Sequence, residues 1–178
     1  LQEAFSGARV FEGGGNEILG TDLQDMTLEA ATNALQRLYP QFHIADHAGW
    51  PKVYEKAQKG APDALKSVGD DGEPAKNPVC KAILAFIAGG KKGIDIRKNF
   101  EGATYGWPGD AVDGGLQVLL VAGLIRAQDE KGQTIDPKDL ERKIIGKTMF
   151  KGESATVSAA QRIQIRKGLQ KAGLTAKQ

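Results

Sequence analysis

The first periodic set of apolar residues lies in residues 27–38, where Leu28, Ala31, Leu35 and Leu38 recur three and four apart. That spacing marks one face of a helix, and Pro40 stops it. Upstream, residues 1–8 read as the end of a helix. Arg9-Val10-Phe11 and Glu17-Ile18-Leu19 then flank the glycine run Gly13-Gly14-Gly15, the pattern of a small hairpin. Downstream, Pro51 and Pro62 sit at first-turn positions of two short helices. These turn Val53, Tyr54 and Ala57, then Leu65 and Val68, inward, and Gly60 and Gly69 close them. Residues 69–76 (GDDGEPAK) are polar and turn-rich and predict a linker.

Beyond the linker the signals strengthen. Asn77 caps and Pro78 opens a helix whose Val79, Ala82, Ile83, Leu84, Phe86 and Ile87 are apolar nearly all round, which predicts a place at the centre of a core. Residues 94–100 form a second helix with Ile96 and Phe100 inward and Arg97 and Lys98 outward. Pro108 opens a third, running to about Ala122, with Asp110 beside its positive end; Val112, Leu116, Leu119 and Leu120 face inward and Gly123 terminates it. Residues 124–127 and 133–135 read as short strands around the turn Asp129-Glu130-Lys131-Gly132. Three helices followed by a hairpin is the order of a winged helix. A short turn at Asp136-Pro137, a strand around residues 148–150 and a last helix, opened by the capping pair Ser158 and Gln161 and ended by Gly173, complete the chain. The expected fold is mainly α, of the α+β class. It comprises a helical part over residues 1–76 with a small hairpin, a winged-helix-like module over 77–136, and a basic helical tail over 137–178.

Composition supports this picture: 178 residues, 40% hydrophobic and 26% charged, suffice for one core or two small ones. The longest apolar run, residues 79–88, is interrupted by Lys81 and falls well short of the ~20 residues of a spanning helix. No secretory pattern opens the chain, and Leu1 in place of Met suggests a trimmed one. A single cysteine, Cys80, cannot form an internal disulfide, and a cytoplasmic location is expected. The net charge of +2 conceals a gradient. Residues 1–90 carry 8 Lys/Arg against 12 Asp/Glu, residues 91–137 carry 6 against 7, and residues 138–178 carry 10 against 3. The basic end favours an anionic partner. Candidate nucleic-acid contacts are Lys91, Lys92, Arg97, Lys98 and Arg126 in the module, and the stripe formed by Arg162, Arg166, Lys167 and Lys171 in the tail.

Motifs for catalysis do not assemble. Gly146-Lys147-Thr148 has the ending of a phosphate-binding loop, but Glu141 stands where the first glycine belongs, a carboxylate facing the phosphates. His43, Asp46 and His47 have metal-ligand spacing, yet Ile44 replaces the glutamate of a zincin; capping or bonding a turn is the better account. Cys80, inside the most apolar helix, reads as a small buried hydrophobe. Asp70 with Asp71, and Asp110 with Asp113, read as solvated or dipole-complementing groups. If the third helix entered a DNA groove, Asp110 and Asp113 would lead, and carboxylates repel phosphate. Protein contact is therefore the stronger expectation, with Tyr105 and Trp107 as core, hinge or partner-contact residues.

The runs LYPQFHIADH (residues 38–47), NPVCKAILAF (77–86), YGWPGDAVD (105–113) and IGKTMF (145–150) resemble the BREX phage-resistance P-loop ATPase family called BrxC or PglY. The likeness spans residues 30–172, and YGWP-x-D-A-x-D is its most specific part. It implies a non-catalytic internal region of a large AAA-like ATPase. ATP and magnesium belong to a part of the family's proteins that this chain does not contain, so no cofactor is expected here. Other domains of the parent, system proteins, DNA and further copies within an oligomer become the expected partners.

Overall fold

A computed structural model describes residues 7–153 and Gly168. The helix end read in residues 1–8 and the last helix lie outside the described residues, apart from Gly7, Ala8 and Gly168. No helix among the described residues is long and apolar enough to cross a membrane.

The hairpin forms as read, β1 (Val10–Phe11) pairing antiparallel with β2 (Glu17–Ile18). Asp22 then caps α1 (Leu23–Leu38), its carboxylate accepting from the N–H groups of Gln24 and Asp25. Met26, Asn33 and Arg37 face the hairpin: Met26 is buried, and Glu12 accepts from Asn33 at 2.7 Å and from Arg37 at 2.5 Å. A 3₁₀ turn (Phe42–Ile44) leads to α2 (Trp50–Gln58), which has Pro51 in its first turn and buries Trp50, Val53, Tyr54 and Ala57. Pro62 precedes a 3₁₀ helix (Ala64–Val68), closed by Gly69 at φ +78°. The expected linker is a fitted turn. Asp70 accepts from the N–H of Gly72 and from the side chain of Asn77, and Asn77 in turn caps the next helix through the N–H of Cys80.

The three helices and hairpin of the expected module are present as α3 (Pro78–Ile87), α4 (Gly93–Glu101), α5 (Gly109–Val121), β4 (Ile125–Gln128) and β5 (Thr134–Ile135). Two expectations are corrected. The central helix is α5, not α3: residues 111–120 are all buried, whereas α3 leaves Lys81 and Ala85 exposed and Leu84 and Phe86 half-buried. Small residues explain the exchange. A Cβ on Gly114 would lie 3.1 Å from the Trp50 ring, and one on Gly115 would lie 2.7 Å from Ile83 Cδ1, so α2 and α3 close on α5 from two sides. Arg97 is not outward either; it is turned onto Asp113 of α5.

The sheet is larger than a hairpin. β3 (Lys91–Lys92) and β6 (Met149–Gly152) join it in the order β3-β6-β4-β5, all antiparallel, with Ala127 opposite Phe150 and Lys91 opposite Phe150 on the other side. The strand read as part of the tail therefore lies in the middle of the module's sheet. Between β5 and β6, a 3₁₀ turn (Pro137–Asp139) and α6 (Arg142–Ile145) form a strap that buries Leu140 and Ile145. One continuous core runs from Ala45 to Phe150, crossing both positions, 76/77 and 136/137, where the sequence suggests boundaries.

The strap lies against Gly93 at a distance only glycine permits, since a Cβ there would stand 1.9 Å from the Ile145 carbonyl oxygen. Gly93→Ala is expected to cost about 3 kcal/mol, because backbone must move. Gly89→Ala, where a Cβ meets open space, should stay within about 0.5 kcal/mol of the parent. Urea unfolding midpoints of the two variants measure the difference.

Candidate interaction site

Asp113 lies in the buried stretch of α5, and Arg97 reaches it from α4 in a two-pronged pair, Nε to Oδ1 and Nη2 to Oδ2, each at 2.8 Å. The same Nη2 donates to the Arg142 carbonyl at 3.2 Å. Arg142 in α6 donates to Asp110, stands 3.8 Å from Asp113 and lies 4.5 Å from the centre of the Tyr54 ring. Tyr54 donates its hydroxyl to the Leu140 carbonyl at 2.6 Å, and Gln58 donates to the same oxygen at 3.2 Å. Burial raises the Tyr54 phenol above its ordinary value, and hydrogen bonding to Asp113 raises the Arg97 guanidinium. Both therefore keep their protons across the ordinary pH range. The cleft above this network, about 650 Å³, is also lined by Lys98 and Glu101. Three cations face three carboxylates there, so it presents no excess charge to a ligand. Its chemistry is that of a clamp joining α4, α5 and the strap.

A second feature surrounds the YGWP segment. Trp107 is buried and stacks on Phe100 at 4.8 Å and 8°, while Tyr105 meets both rings edge-on at 4.7 and 4.9 Å. The Trp107 indole N–H donates to the Gln41 carbonyl at 2.8 Å. Thr104, at φ 81°, donates its N–H to the Leu38 carbonyl and accepts from the Gln41 N–H, both at 2.9 Å. Gly106, at φ +60°, passes so close to Tyr39 that a Cβ would lie 2.5 Å from its ring. Thr104 and Gly106 thus hold the C-terminal end of α1, and Trp107 ties the segment to Gln41 just beyond it. Beside them a groove of about 780 Å³ is lined by Leu35, Tyr39, Pro40, Phe42, His43, Asp46 and Glu101.

The apolar face read in residues 27–38 is helical but open. Leu28 is 66% exposed, Leu35 57% and Leu38 49%, and Phe42 continues the row at 38%. The hairpin covers the opposite side of the helix, so nothing among the described residues buries this one.

The basic candidates separate. Arg97 is held by Asp113; Arg126 lies 3.6 Å from Glu153; Lys91 stands 5.3 Å over the Phe86 ring; Lys92 and Lys98 are exposed. By strand register, Lys92, Arg126 and Lys151 share the outward face of the sheet. Arg162, Arg166, Lys167 and Lys171 lie outside the described residues. With residues 111–120 buried, α5 has no free face to lay in a DNA groove. His47 bonds a turn, its Nδ1 accepting from the Gly49 N–H at 2.9 Å, and His43 and Asp46 face the groove. Sequence reasoning missed Arg142 and the buried role of Asp113. It also missed Gln117, which is fully buried and donates to the Pro137 carbonyl at 2.5 Å. Asp113 and Gln117, four apart in the otherwise apolar run of residues 111–121, were the available signal.

Removing one partner of the clamp strands the other. Asp113→Ala is expected to destabilise the chain by about 3 kcal/mol, and adding Arg97→Met should recover much of that loss, as a double-mutant cycle in denaturant would show. Burial pushes the Cys80 thiol up to about 12. The unfolded thiol ionises at about 8.5, so the unfolded state releases its proton first; this contribution to stability is complete below that value and is lost as pH rises toward 12. Labelling of Cys80 by a thiol reagent at pH 8 should accordingly follow global unfolding.

No protein-family model, curated protein or solved structure matches the chain.

Proposed function

We propose that the chain is a non-catalytic interaction and regulatory module of a large BREX-like antiphage-defence ATPase, acting in the cytoplasm to assemble that protein with its other domains or with system partners. One observation carries the reading. The polar cleft is neutralised from within by Arg97, Arg142, Asp110 and Asp113, while the apolar row on α1 is left open. A surface of that kind buries area against protein and does not position a reacting substrate. ATP and magnesium belong, on this reading, to the remainder of the parent. Deleting residues 7–153 from the parent should abolish its assembly and phage resistance, measured by sedimentation and by plating efficiency; unchanged assembly with full resistance overturns the reading.

A second reading, DNA binding, draws on the outward sheet face with Lys92, Arg126 and Lys151. Binding to a labelled duplex should then weaken steeply with salt, because phosphate contact releases counterions. Lys92→Glu with Lys151→Glu should lower affinity about tenfold or more at low salt; an unaltered titration removes the reading.

A further inference from the structure

On α1 the row Leu28, Ala31, Leu35 and Leu38 advances by three and four residues, the spacing by which one helix seats another, and Phe42 of the following 3₁₀ turn lines the groove at its C-terminal end. Its immediate neighbours Thr27, Thr32 and Ala34 are small and uncharged, so a second backbone can approach closely. The charges around it are of one sign: Asp25 and Glu29 are exposed on α1, and Asp46 and Glu101 line the groove at its C-terminal end. The one cation of the helix, Arg37, is held by Glu12. A second copy of the chain would bring the same acidic residues and no free cation on α1 to meet them.

We propose that this face receives an amphipathic helix of a partner protein, with large apolar residues three and four apart and lysines or arginines along its edges. The proposal rests on the interaction-module reading and names the surface through which it acts. Four turns of α1, about 24 Å long, set the length of the partner helix, and the groove beside Tyr39 and Phe42 takes a large side chain at one end.

The test uses the full chain and two labelled synthetic peptides of about 16 residues with one leucine row, one edged by lysine and the other by glutamate. Fluorescence anisotropy should show the lysine peptide binding about tenfold tighter or more. Leu35→Glu should remove most of that binding, and Asp25→Lys with Glu29→Lys should reverse the preference; all three positions are exposed, and circular dichroism checks the fold. Equal affinity for the two peptides, or indifference to Leu35→Glu, overturns the proposal. So does a dimer dissolved by Leu35→Glu in sedimentation, which would give the face to a second copy. If the peptides fail while deletion in the parent still breaks assembly, the module reading stands and this surface is excluded.

Discussion

The close approach of α2 and α3 to α5 at Gly114 and Gly115 governs the rest of the structure. A helix with ten successive buried residues needs partners on several sides, and adjacent glycines supply two such approaches one residue apart. Larger side chains there would hold Trp50 and Ile83 away, opening the core that also receives Phe100, Trp107 and Phe150. Glycine lowers helix propensity by roughly 1 kcal/mol per position, so the packing on both faces must outweigh an intrinsic cost.

Burying α5 creates a second problem, since Asp113 and Gln117 go into the core with it. Arg97 answers the first with a hydrogen-bonded charge and Arg142 with a second charge 3.8 Å away, and the strap carbonyl of Pro137 answers half of the second, leaving Gln117 Oε1 without a partner among the described residues. The strap is therefore held by polar bonds to α5 and by the apolar contacts of Leu140 and Ile145. Breaking either set would expose the other.

Much of the fold was legible in local chemistry. Asn77-Pro78, Pro108 and Gly123 mark helix ends, and α3 begins, and α5 begins and ends, within a residue or two of those marks. What local chemistry could not supply was which helix lies innermost. The apolar density of α3 suggested it, but the small residues of α5 decided it, because approach distance is a property of pairs of elements. The same holds for the site. Arg97 reads as a surface cation until α5 brings Asp113 to it, and the spacing of Leu28 and Leu35 marks one face of a helix without saying that the hairpin occupies the other side. Tyr105 and Trp107 were legible as packing residues, though the Trp107 bond to Gln41 and the Thr104 bond to Leu38 depend on backbone turns at Thr104 and Gly106 that sequence spacing does not reveal.

The placement of β6 between β3 and β4 has a consequence for how the chain folds. Lys91 must find Phe150 across the whole length of chain that holds α4, α5 and the strap, so the sheet is dominated by contacts distant in sequence. As the polypeptide emerges from synthesis, α3, α4 and α5 can pack before residue 149 exists, while the inner edges of β3 and β4 wait unpaired. Sheet closure is then a late step, and the interval before it is the period in which those open edges are most prone to pairing with another chain.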